Sequence, residues 1–232
     1  MTYNILLSKT FIVAISVIVA FHSAFTQYTS DLSRQNLMGK VRTALRSNYE
    51  PKNNSERFKE KDLKDKTLYE FNEQGNLIQM RVYNHINLLT FRYSYIYDSE
   101  GKRIVAFKYN SEENLVSVDS SQYDLNGNRT LEKKYTTKDS LQSIDHYSYD
   151  SKGRIIEMMR KNILNKMLFR YRFKYHNNAM YTHSDYHGQD SSQLEIYTYK
   201  FEHFDKEGNF RKAVIYRDND VYRISKFSIA YY

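Results

Sequence analysis

The chain has 232 residues, a formal net charge of +8 and no cysteine. The lack of cysteine excludes disulfides, thiol catalysis, thiolate metal sites and the lipoprotein route, so the fold must rest on its core and its ladder hydrogen bonds. With 23 Tyr and 13 Phe, one Pro and no Trp, the composition favours pleated, half-buried surfaces where a tyrosine ring is covered and its hydroxyl stays wet.

The first segment reads as an export signal. Met1 to Lys9 carries one cation, Phe11 to Phe21 is uncharged and apolar, and His22 to Gln27 turns small and polar. That order is the one expected of a secretory leader. The apolar run falls short of the roughly 20 residues that span a bilayer. Residues 1–26 are therefore expected to be a signal peptide cut near Thr26-Gln27, and the protein is expected to be periplasmic or extracellular, not a lipoprotein and not integral to a membrane. An uncleaved N-terminal anchor is the competing reading.

Residues 27–63 are expected to hold an N-terminal strand and a polar loop. Met38 to Arg46 reads as the strand, with room for a short helix over Leu32 to Met38. Glu50 to Lys61 is the loop and contains Pro51. From Arg34 to Lys66, ten basic residues face five acidic ones. Solvated strand faces explain that excess most simply, while a functional reading makes it an attraction for anionic partners.

From residue 64 to residue 232 the chain repeats. Tyr69-Phe71-Asn72-Gly75, Tyr95-Tyr97-Asp98-Gly101, Tyr123-Asp124-Gly127 and Tyr147-Tyr149-Asp150-Gly153 place their glycines 26 residues apart. A further step lands on Ala179 in a decayed copy, and Phe204-Asp205-Gly208 is a last one, displaced by three residues. Asp or Asn opens such a turn by accepting backbone N–H groups ahead of it. Gly then closes a three-residue hairpin loop with a bulge. Carried outward from the turn, this register pairs Tyr97 with Arg103, Tyr95 with Val105, Tyr93 with Phe107 and Phe91 with Tyr109. It gathers all those aromatics on one face and puts Ile78, Met80, Val82, Ile96, Ile104 and Ala106 on the other. A second, more variable turn lies between, at Asn84 to Asn87, Asn110 to Asn114, Thr136 to Ser140, Asn162 to Lys166, Gly188 to Ser192 and Arg217 to Asp220. The expected fold is all-β, an antiparallel meander of about twelve strands made of hairpin repeats. The sheet is strongly curved or barrel-like, because large sheets twist and curl.

The Tyr-x-Tyr-Asp-x-x-Gly pattern of these copies resembles the YD repeats of the RHS family, and the chain resembles small exported RHS-repeat-like proteins of Bacteroidetes. The resemblance implies an extracytoplasmic β-meander. In large members repeated strands build a shell around a toxin, and some are proposed to bind carbohydrate. This chain has too few repeats for an enclosing shell, so the toxin-delivery role does not carry over.

Candidate chemistry is sparse. Asn72, Asp98, Asp124, Asp150 and Asp205, with Gly75, Gly101, Gly127, Gly153 and Gly208, are explained as structural turn residues. One carboxylate per turn does not make the clustered oxygens of a calcium site. His183, Asp185 and His187 alternate along a strand and form the one candidate metal set. Exposed polar residues in a decayed repeat explain them more simply. The expectation is a non-enzymatic structural or interaction protein of the cell envelope with a Tyr-rich sheet surface. It has no cofactor and no nucleic-acid partner, and its partner is a protein or a glycan, with anionic ones favoured. A carbohydrate-binding module and, further off, a metal-dependent enzyme are the rivals.

Overall fold

The computed structural model describes residues 31–35, 37–52, 54–175, 181–187 and 194–232. The leader expected over residues 1–26 lies outside them. After one helical turn, α1 (Asp31–Arg34), come fourteen strands: β1 (Val41–Tyr49), β2 (Leu63–Phe71), β3 (Leu77–Asn84), β4 (Leu89–Tyr97), β5 (Arg103–Asn110), β6 (Leu115–Tyr123), β7 (Arg129–Thr136), β8 (Leu141–Tyr149), β9 (Ile155–Asn162), β10 (Met167–Tyr175), β11 (Tyr181–His187), β12 (Leu194–Phe204), β13 (Phe210–Arg217) and β14 (Asp220–Tyr231). Each strand pairs antiparallel with its neighbours in sequence, and β1 pairs with β14, so the meander closes into a barrel. Closure removes the open edges that a sheet of this length would otherwise present.

Both ends of the barrel use the same turn. At the glycine end, Asp98 Oδ1 accepts the N–H groups of Glu100 and Lys102, and Gly101 stands at φ +81°. At the opposite end, Asn84 Oδ1 accepts from Ile86 and Leu88, and Asn87 stands at φ +63°. Asn110, Thr136 and Asn162 repeat this, with Glu113, Asp139 and Asn165 in the left-handed position. The 26-residue repeat is thus two half-repeats of one design. Among the described residues, only one of them uses glycine where the backbone turns left-handed.

The register differs from the one expected. Tyr97 does face Arg103, but Ile96 then faces Val105 and Tyr95 faces Ala106, because Ile104 is an extra residue on β5. Such a bulge follows the turn on the incoming strand at Ile78, Thr90, Ile104, Val116, Thr130, Gln142, Ile156 and Leu168. A one-residue slip exchanges faces. Phe91, Tyr93 and Tyr95 therefore share a face with Met80, Val82 and Ala106, whereas Phe107 and Tyr109 lie on the other. The single aromatic face expected from the turn is divided between inside and outside. Bulges also sharpen local twist, which favours closure.

The inward face is set by contacts that only the concave side permits. Tyr171 on β10 lies within electrostatic range of Tyr222 on β14, four strands away, and Tyr222 stacks edge-on against Tyr197. The outward face carries Lys66, Glu70, Arg81, Arg92, Lys133, Lys200, Glu202 and Lys212 along the strands. The 50–62 loop covers the outside of the seam. Phe58 packs on Tyr49 at 4.3 Å, next to fully buried Val214 and Ile224.

Candidate functional site

The lumen is where the side chains converge. Its glycine end is closed by residues 31–35 with Leu37. Leu32 and Leu37 pack against Ala44, Tyr69, Phe71 and Leu77, with Met80, Tyr95 and Ile229 around them. Leu32 N–H bonds to the Gly75 carbonyl at 3.2 Å, and the buried Asp31 carboxylate accepts from Leu77 N–H and from the Tyr97 hydroxyl. Asn209 holds the following turn by bonds to both Met38 N–H and Met38 O.

The second tyrosine of each repeat is a tie between hairpins. The hydroxyls of Tyr97, Tyr123, Tyr149 and Tyr175 donate to the carbonyls of Leu77, Arg103, Arg129 and Ile155 at 2.6–2.8 Å. Each accepting carbonyl lies beside a bulge, where the ladder is interrupted. The tyrosines of the motif thus serve the barrel's rim.

Below the plug is a dense ionic group. Glu132 accepts from Tyr147 Oη at 2.9 Å and pairs with Arg103 at 3.3 Å and Arg129 at 3.0 Å. The guanidinium of Arg103 lies over the Tyr95 ring and that of Arg129 over Tyr147. Burial opposes the charge of Arg103, but Glu132 and Asp31 hold its affinity for the proton above the ordinary value. Burial, then Glu132, pushes the Tyr147 phenol upward. Beside this group, buried Asp145 is gripped by Arg160 through two bonds of 2.6 and 2.7 Å.

The neighbouring wall is less complete. Lys108 faces Ser117, and Asp119 faces Lys134, all on the inward side. Lys108 Nζ sits 3.6 Å from the centre of the Phe91 ring and 5.7 Å from that of Tyr93. Burial and the Lys134 charge lower its proton affinity. Neither lysine has a salt bridge among the described residues. Ser117 Oγ and Asp119 Oδ1 are buried without a hydrogen-bond partner. Burial, with Glu132, pushes the Asp119 carboxyl up to about 6 against the pull of Lys134 and Arg103. Across the lumen, Phe169, Tyr171 and Tyr186 form an aromatic wall with ring centres 4.9–6.4 Å apart. Tyr93, Lys108, Lys134 and Tyr171 face inward yet are only half-buried, so free space lies against them.

The turn residues stand at the barrel's rim, spread around it rather than gathered. Asn72, Asp124, Asp150 and Asp205 accept the same pair of backbone N–H groups as Asp98, and Gly75, Gly127, Gly153 and Gly208 all have positive φ. His183, Asp185 and His187 are on β11, and their side chains fall outside the described residues. Among the described residues no other set of His, Asp and Glu could hold a metal ion. A surface recess of about 480 Å³ lies at the β13–β14 turn, but its Asp220 is bound by Asn54 and its Asp218 by Ile196. The luminal ionic group escaped the sequence. Arg103, Arg129 and Glu132 sit among exposed-looking charges, and only the bulged register brings them together.

No family model matches the chain, and no curated protein matches it. The chain is similar to the solved structure of a porin-like protein from Bacteroides uniformis ATCC 8492, at 10% identity and a TM-score of 0.50, covering 83% of this chain and 99% of that one. Weaker likenesses are to the TcdB2-TccC3-TEV structure, at 12% identity and a TM-score of 0.30, and to the Photorhabdus luminescens Tc holotoxin pore, at 11% identity and a TM-score of 0.22. They cover 78% and 71% of this chain but only 11% and 12% of the other. What is shared with the first is the fold.

Proposed function

We propose that this is a non-enzymatic exported protein of the bacterial cell envelope, a water-surrounded β-barrel that acts by binding. The observation that carries this reading is the outward face. A barrel in lipid needs an uncharged apolar band on every strand, and here Arg81, Arg92, Lys133, Lys200 and Lys212 point out from mid-strand. The envelope assignment is supported by the leader-like residues 1–26. The Tyr-Asp-Gly turns support a tie to RHS-type repeats. The polar lumen is the binding element in this reading. The test is fractionation of cells expressing the full chain, with alkaline carbonate extraction of the membranes. Release into the periplasmic or extracellular fraction, with residues 1–26 missing by mass, is the expected result. A protein that keeps its leader, or that stays with extracted membranes, overturns the proposal.

A further inference from the structure

Four inward groups on one wall of the lumen are left incomplete by the fold. Lys108 and Lys134 bring two ammonium groups with no salt bridge among the described residues. Ser117 brings a buried hydroxyl and Asp119 a buried carboxylate oxygen, neither with a partner. Buried polar atoms normally find partners, and leaving one without is costly. The surrounding charges do not supply them. Arg103 and Arg129 are paired with Glu132 and Arg160 with Asp145; Arg103 Nε and Arg129 Nε and Nη1 are themselves buried without a hydrogen bond, so they reach neither Asp119 nor Ser117. With Asp119 ionised, the four groups carry two positive charges and one negative. They ask for one anionic acceptor, to meet the lysines, and at least one uncharged donor, to meet Asp119 Oδ1. The Phe91 and Tyr93 rings flank the lysine side, and the half-buried state of Tyr93, Lys108 and Lys134 leaves room beside them.

We propose that this wall binds a hydroxylated organic carboxylate, whose carboxylate lies between Lys108 and Lys134 and whose hydroxyls reach Asp119 and Ser117. A bare inorganic anion satisfies the lysines but leaves Asp119 without a donor. An uncharged polyol does the reverse. The inference rests on the binding role proposed above and adds the chemical class of the ligand.

Three six-carbon probes separate these demands: gluconate has the charge and the hydroxyls, sorbitol only the hydroxyls, hexanoate only the charge. Calorimetric titration of the purified full chain lacking residues 1–26 is expected to show gluconate binding about tenfold or more tighter than hexanoate, and no binding of sorbitol. Lys108→Met and Lys134→Met should each weaken gluconate about tenfold. Asp119→Asn should narrow the gap between gluconate and hexanoate. Lys133→Met, on the outward face, should change nothing. Because a luminal variant can fail to fold, the unmutated protein supplies a second readout. Gluconate, and not sorbitol, should protect Lys108 and Lys134 from acetylation by acetic anhydride, read by peptide mass spectrometry. Lack of gluconate binding at millimolar concentration, equal binding of sorbitol, or acetylation of both lysines unaffected by gluconate would overturn the inference. These assays are made in solution, so they stand apart from the fractionation that tests the cell-envelope reading.

Discussion

Replacing Tyr149 by Phe isolates the tie that the repeat motif builds. The ring stays, and only the hydroxyl that donates to the Arg129 carbonyl at 2.8 Å is removed. A hydrogen bond of this type contributes about 0.5–1.5 kcal/mol net, and a buried carbonyl left unpaired costs about 1–3 kcal/mol. Tyr149 is half-buried, so water can reach part of the site, and a loss of about 1 kcal/mol is expected. Tyr175 makes the equivalent bond to Ile155 at 2.8 Å. Tyr149 itself faces Ile155 across the ladder, so the two losses are coupled and the double variant should depart from their simple sum of about 2 kcal/mol. Phe71 occupies the same column one repeat ahead of Tyr97, with no hairpin before it to tie. It is 1% exposed, against Leu32 and Leu77. Phe71→Tyr would therefore bury a hydroxyl without need, and should destabilise by about 1–3 kcal/mol. Urea unfolding followed by circular dichroism measures all three, with the midpoint moving and the slope unchanged. A Tyr149→Phe midpoint equal to that of the parent, together with a Phe71→Tyr protein as stable as the parent, refutes the reasoning.

Other perturbations reach other parts of the barrel. Glu132→Ala leaves two guanidinium groups facing a buried phenol, and should destabilise by about 3–5 kcal/mol in the same urea assay. A loss below about 1 kcal/mol would show that the group is solvated. Asp119 gives a pH signature. Its carboxyl rises from 3.8 to about 6 on folding, so the folded state holds the extra proton between those values and stability falls as pH rises through them. The penalty is absent below pH 3.8, complete above about 6, and at most about 3 kcal/mol. The stability of Asp119→Asn relative to the parent should therefore grow between pH 4 and pH 7, and a difference independent of pH contradicts the assignment. At Gly127, φ is +78° and an added Cβ would meet only Lys102 Cε at 3.8 Å. Gly127→Ala should then cost only the left-handed backbone, about 1 kcal/mol. Gly127→Asn should cost less, since Asn87 and Asn165 already hold that conformation. Equal melting temperatures for the two variants would argue against it.

How far the sequence carried the fold follows from particular residues. The glycines at 75, 101, 127 and 153 announced one end of the barrel because, among the described residues, only that end uses glycine at positive φ. The opposite end uses Asn87, Glu113, Asp139 and Asn165 there, so its turns were legible as variable polar segments but not as copies of the same design. Faces were misassigned because the register was carried straight on from Tyr97–Arg103, and no sequence pattern marks Ile104 as an extra residue. Met80 and Val82 consequently belong with Tyr69 and Thr67 inside, rather than on an opposite face. Closure joins β1 to β14, whose paired residues are nearly the whole chain apart, a distance over which periodicity carries no information. The luminal wall of Lys108, Ser117, Asp119 and Lys134 is invisible for a similar reason. Those residues come from three strands, and each alone reads as a solvated position.

The account stands on the closed seam, and one measurement addresses it directly. Leu45 on β1 faces Ser228 on β14. Partners directly across an antiparallel ladder have Cα atoms about 4.5–5.5 Å apart, within reach of a disulfide. The chain has no cysteine of its own, so Leu45→Cys with Ser228→Cys gives an unambiguous pair. If β1 and β14 lie side by side, mild oxidation of the dilute folded protein should consume both thiols and yield one intramolecular cross-link linking the two peptides. Two thiols that stay free and reactive in the folded protein would mean that the sheet is open, and the lumen with its ligand wall would no longer exist.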